Sequence, residues 1–160
     1  MFTVKALHTE TGMFRAELER VRGFFCEATN FSSYMPNISE IWTDNRGVMH
    51  WKVATQIPFV GNFSEKFPIV RTENSDERVE WSPHTEEERN LMRVAADFFP
   101  ESNQKTQVRL SHAIELRRRS PTELHLLAGF AGETAISNEM SNRIGDMIRA
   151  FFESARNRLE

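Results

Sequence analysis

The sequence predicts an α+β fold: a curved antiparallel sheet of six or seven strands wrapped around one long C-terminal helix, with two short helices after the first strand. Two observations carry this expectation. Between Met49 and Leu116, five segments alternate apolar and polar side chains, as a sheet with one dry face requires. From about Thr134 to Leu159, apolar residues recur in steps of three and four, which draws a single stripe along a helix.

Each element follows in order. Phe2, Val4 and Ala6 alternate in an N-terminal extended segment, and Phe14 either ends that strand or opens the helix after it. Leu18, Val21, Phe24, Phe25 and Ala28 form the apolar face of a short helix, and Pro36 closes a second helical turn around Phe31 to Met35. Met49, Trp51, Val53 and Thr55 begin the alternating region, followed by Phe63, Phe67 and Ile69 after the breaks at Pro58 and Gly61. Val79 and Trp81 share a face of a strand ending at Pro83. Met92, Val94, Ala96 and Phe98 form the next inward row, and Val108, Leu110, His112, Ile114 and Leu116 the last. Short turn-rich breaks such as Asp44–Gly47, Glu73–Asp76 and Pro100–Asn103 favour antiparallel neighbours. The terminal stripe runs through Ile136, Met140, Ile144, Met147, Ile148, Phe151, Phe152, Ala155 and Leu159. Gly145 within it costs about 1 kcal/mol against Ala, which points to a close approach. The helix either packs flush on the sheet, giving a solid core, or stands off and leaves a cavity.

Composition bounds the function. The chain reads as a single domain over residues 1–160, and its 20 Lys plus Arg against 23 Asp plus Glu leave no excess positive field for nucleic acid. One cysteine, Cys26, excludes an internal disulfide framework and a Cys-based zinc cluster; no metal and no cofactor are expected. Phe24, Phe25 and Cys26 together read as buried apolar residues. The first residues lack a basic region followed by an apolar stretch, and no run reaches the ~20 apolar residues of a membrane span. A cytoplasmic protein without stable membrane insertion is the expectation. Aromatic surface is abundant and apolar, with 13 Phe and 3 Trp against 1 Tyr.

Phe14-Arg15-Ala16-Glu17-Leu18-Glu19-Arg20-Val21 followed by Phe24-Phe25, and Tyr34-Met35-Pro36-Asn37-Ile38, resemble two elements of the START-like (SRPBCC) helix-grip superfamily. The polyketide cyclase/dehydrase and carbon-monoxide-dehydrogenase subunit-G-like branches are most similar. The first stretch is similar to a first strand running into a helix. The second resembles a Leu/Met-Pro-Gly-Val element that ends the second helix and starts strand two, with Asn37 in the place of Gly. The resemblance implies an apolar or amphipathic ligand held between the concave sheet and the long helix, and in some branches cyclisation or dehydration.

The expected walls of such a site are Trp51, Val53, Phe63, Phe67, Trp81, Met92, Val94 and Phe98 from the sheet, facing Met140, Ile144, Met147 and Phe151 from the helix. His112 is the sharpest polar anomaly, sharing a strand face with Val108, Leu110, Ile114 and Leu116: an acid/base or ligand-orienting group, a hydrogen-bonded interior residue, or a sign that the other face of that strand is the concave one. Glu65 shares the face of Phe63 and Phe67 and is the only other acid/base candidate; Asp97 falls on the opposite face from Phe98. The Arg117–Arg119 and Glu86–Glu88 runs read as solvated strand ends or loops. The sequence thus favours binding of a small hydrophobic ligand (lipid, quinone or polyketide-like). A polyketide cyclase/dehydratase-type enzyme and a solid-core interaction module are the alternatives. Ligand identity and oligomeric state are not written in it.

Overall fold

The computed structural model of the protein describes residues 1–58, 60–125 and 127–160. In chain order these form β1 (Phe2–Phe14), α1 (Leu18–Cys26), α2 (Ala28–Tyr34), β2 (Ile38–Thr43), β3 (Met49–Ile57), β4 (Gly61–Asn74), β5 (Arg78–Pro83), β6 (Asn90–Ser102), β7 (Lys105–Arg118) and α3 (Ala128–Leu159). The strands make one seven-stranded antiparallel sheet in the order β1-β7-β6-β5-β4-β3-β2. Every neighbour is a hairpin partner except at β1, which lies beside β7 at the far edge. Phe14 therefore ends the first strand. α1 and α2 carry the chain from that edge to the opposite one, where Asn37 starts β2 in the left-handed conformation (φ 71°).

The inward rows are dry. Phe63, Phe67 and Ile69 on β4, Val79 and Trp81 on β5, Met92 through Phe98 at alternate positions on β6, and Val108 through Leu116 at alternate positions on β7 are all buried. The concave face they make is covered by α3 with α1 and α2. The outward face is wet and ion-paired. Arg78 reaches Asp97 and Glu80, both at 2.6 Å, while Arg93 donates to Ser82 at 2.7 Å. Asp97 is thus an outward residue of an ion-pair ladder.

α3 does more than cover the sheet. It runs along the free edge of β1, where Ser137 and Ser141 accept the Lys5 and Leu7 amides at 3.1 Å each. Further on, Arg149 meets Glu10 at 3.4 Å, Arg156 donates to the Met13 carbonyl, and Glu160 accepts from the Arg15 amide at 3.2 Å. The strand from Lys5 to Arg15 and the helix from Ser137 to Glu160 each span roughly 34 Å. Equal lengths let one helix close the whole edge that would otherwise expose unpaired amides. Gly145 sits where the two elements come closest: a Cβ there would stand 3.1 Å from the His8 ring. The close approach expected of this glycine is present.

Two features depart from expectation. α3 begins at Ala128 rather than near Thr134, and its first turn is separated from the rest by Gly132, whose φ of 83° and ψ of 165° are not helical. Arg118, expected among solvated charges, is 3% exposed because the β7 alternation carries its side chain inward.

Candidate functional site

The candidate site is the layer between the concave sheet and α3. All twelve residues expected to wall it are buried: Trp51, Val53, Phe63, Phe67, Trp81, Met92, Val94 and Phe98 below, Met140, Ile144, Met147 and Phe151 above. Their rings are unevenly distributed. Phe14, Phe24, Phe25, Phe98, Phe151 and Phe152 form a continuous cluster at the α1 end, edge-to-face except for the tilted Phe24–Phe151 pair, with centroids 5.4–6.2 Å apart. Phe31 of α2 bridges from this cluster, stacked on Phe151 at 4.6 Å, to Trp51 at 5.1 Å and Trp81 at 5.7 Å. Beyond the two tryptophans the wall becomes aliphatic and methionine-rich, with Met92, Met140, Ile144 and Met147 near the sheet centre. Unbranched, polarisable Met repacks readily around an irregular shape.

Polar groups in this layer are few. Trp51 Nε1 donates to Met49 Sδ at 3.2 Å. Among the described residues, Trp81 Nε1 has no hydrogen-bond partner, and neither Nδ1 nor Nε2 of His112 has one. Both residues are 0% exposed. Among the described residues no protein group hydrogen-bonds the His112 ring. Burial alone pushes the His112 pKa down to about 4, so the ring is neutral at pH 7. Register explains how the two meet one space: Trp81 on β5 pairs with Val94 on β6, which pairs with His112 on β7. Residues directly opposite share a face, so both side chains rise toward α3 on either side of Val94. Trp51 adjoins both, its ring centroid 6.2 Å from His112 and 6.5 Å from Trp81.

Glu65 is inward, as the alternation implies, but it is committed. It accepts from Arg118 Nη2 at 3.1 Å and from Asn90 Nδ2 at 2.9 Å. Arg118 also donates to the Asn90 side chain and to the Arg89 and Arg117 carbonyls. This knot closes one end of the layer, with the buried Arg118 paired to a Glu65 that is still partly exposed. Cys26 is half-buried and burial raises its thiol pKa, which works against a thiolate nucleophile. Among the described residues, no group of three or more His, Cys, Asp or Glu side chains is placed to hold a metal ion. The hollows described, of about 310–670 Å³, lie outside this layer, on the sheet's outer face, along the β1–α3 seam, beside the first turns of α3 and around the strand ends.

No protein-family model and no curated protein sequence matches the chain. Solved structures do match its fold. A START superfamily protein from Mycobacterium smegmatis aligns with a TM-score of 0.63 at 12% identity, over 96% of each chain. The di-domain ARO/CYC BexL aligns at 0.66 and 18% identity, over 98% of this chain and 50% of its own. An aromatase/cyclase from a Streptomyces species aligns at 0.58 and 13% identity, over 96% of this chain and 90% of that one. Identities this low show a shared architecture and leave the activity open.

Proposed function

The chain has the helix-grip fold of START superfamily proteins, and on that premise we propose that it binds a small, largely hydrophobic molecule between the concave sheet and α3. The observation that carries this reading is His112: a fully buried imidazole in the middle of the grip, with both nitrogens unpartnered. A native fold rarely leaves buried polar atoms unpaired, since each costs about 1–3 kcal/mol, and a polar group on a bound molecule removes that cost. The surrounding Phe, Met and Ile side chains suit the apolar remainder of such a ligand.

Binding is favoured over cyclase or dehydratase chemistry by the state of the two acid/base candidates. Glu65 is held by Arg118 and Asn90, and His112 is neutral with no second group to orient it. Among the described residues no helix is long and apolar enough to cross a membrane. Native mass spectrometry of freshly purified protein tests the proposal: a co-purified small molecule is expected, released on denaturation. Protein that carries nothing, and takes up nothing from a panel of lipids, quinones and polyketide-like aromatics, would leave a solid-core module instead.

A further inference from the structure

We infer that the ligand of this site is an uncharged molecule whose apolar body carries an oxygen acceptor, a ketone carbonyl or a hydroxyl, placed to receive hydrogen bonds from Trp81 and His112. The inference rests on the proposed binding role and deepens it to a chemical class. Three facts narrow the choice. The indole Nε1–H of Trp81 is a donor and nothing else, so whatever satisfies it must present a lone pair. The neutral imidazole of His112 supplies one further donor and one acceptor, so a carbonyl oxygen or a hydroxyl group can be matched, and a hydroxyl can use both roles.

Charge supplies the third fact. Among the described residues, the one buried charged side chain is Arg118, which lies at one end of the layer with its Nη2 paired at 3.1 Å to the partly exposed Glu65 and its Nε unpartnered. Arg71 lies over the Trp81 ring, 5.2 Å from its centroid, but it is exposed and its Nη2 donates to the Cys26 carbonyl. A carboxylate or phosphate brought beside His112 would thus be desolvated without a free counter-ion, at a cost a neutral oxygen avoids. Trp51, whose own Nε1 is occupied by Met49, adjoins both donors and presents an apolar ring rather than a competing polar atom.

Three probes of the same shape separate the possibilities: 2-acetylnaphthalene, its isosteric alkene 2-isopropenylnaphthalene, and the anion 2-naphthoate. Equilibrium dialysis against the full chain should show the ketone binding at least tenfold more tightly than either of the others. In Trp81→Phe and in His112→Leu the preference for the ketone over the alkene should fall below about threefold. His112→Leu should also melt no lower than the parent, because it removes a buried polar group that has no protein partner. Loss of selectivity without loss of stability is a result that a purely structural histidine would not produce. Equal binding of ketone and alkene would overturn the inference, with internal water then satisfying the polar atoms, yet would keep the binding role. Tightest binding of the carboxylate would overturn it in favour of a cationic subsite. A ketone preference surviving both substitutions would remove the assignment to these residues. Failure of all three probes, in protein that also carries no ligand, would overturn the binding role as well.

Discussion

His112 shows how a single residue ties fold to pH. It is a base whose pKa in the folded protein, about 4, lies below its ordinary value of 6.5. Below pH 6.5 the unfolded chain takes up a proton that the folded one refuses, so stability falls as pH drops and levels out once the folded form also protonates near pH 4. The span corresponds to about 3 kcal/mol lost between those limits, with no change above pH 7. Urea unfolding of the parent and of His112→Leu at pH 7.0, 5.5 and 4.5 checks this. The parent should lose stability across the series, and the variant should lose less by the histidine's share. Parallel curves for the two proteins would mean that another group, or a hydrogen bond to His112, governs the acid limb. What the sequence discloses at this scale is the anomaly of a histidine on an apolar row. That His112 and Trp81 lack partners is not disclosed, because pairing depends on which strands are neighbours: β5, β6 and β7 bring together residues 31 positions apart. Arg118 is hidden for the same reason, its partner Glu65 lying 53 positions away.

Among the elements, period was the reliable signal wherever it ran unbroken. The β6 and β7 rows and the α3 stripe all face where alternation or helical spacing puts them, down to Met140, Ile144, Met147 and Phe151. β2 gave almost no period, since a register shift between Ile38 and Glu40 breaks its alternation; it entered only through the resemblance at Met35-Pro36-Asn37. The first turn of α3 was missed because Gly132 interrupts the helical spacing. Two glycines make opposite predictions about packing between elements. A Cβ at Gly12 of β1 would lie 2.8 Å from the Phe152 ring of α3, which is itself wedged edge-on against Phe14 at 5.4 Å and Phe25 at 6.0 Å. Gly12→Ala should therefore destabilise by about 1–3 kcal/mol. A Cβ at Gly23 in α1 meets nothing within 4 Å, so Gly23→Ala should stabilise by roughly 0.5–1 kcal/mol through helix propensity and a less free unfolded chain. Denaturant titration of the two variants should shift in opposite directions. A second test concerns the β1 edge. Replacing Ser137 and Ser141 together by Ala should speed amide exchange at Lys5 and Leu7 and cost about 1–2 kcal/mol, because two acceptors are withdrawn from a strand edge. Unchanged exchange there would show that water serves those amides equally well.

Across the whole molecule, the interior is not one uniform core. At the α1 end, rings from α1, β1, β6 and α3 touch in succession, and Phe98 belongs to that cluster through Phe25 at 6.2 Å. Past Trp51 and Trp81 the walls include Phe63, Phe67, Met92, Met140 and Ile144, and among the described residues the ring contacts reach no further than His112, 6.2 Å from Trp51. The proposed binding role calls for this division: one end rigid enough to hold the sheet against α3, the other able to repack around a guest. The division has an energetic signature. Truncating a ring in the solid end removes its transfer energy and leaves a void that its neighbours cannot fill, so Phe98→Ala should cost about 3–5 kcal/mol. Ala96, also inward and 0% exposed, should be overpacked by Phe at roughly 1–3 kcal/mol. Phe67 is equally buried, yet it stands opposite Trp51 on β3, in the half where methionines can move in. Phe67→Ala should cost less, about 1–3 kcal/mol, and should weaken ligand retention in native mass spectrometry, whereas Phe98→Ala should leave bound ligand in the fraction that remains folded. Thermal and denaturant unfolding of the three variants decides the matter. Core-sized losses at both phenylalanines, with no effect on what co-purifies, would make the interior a single solid core and move the function to the outer surface.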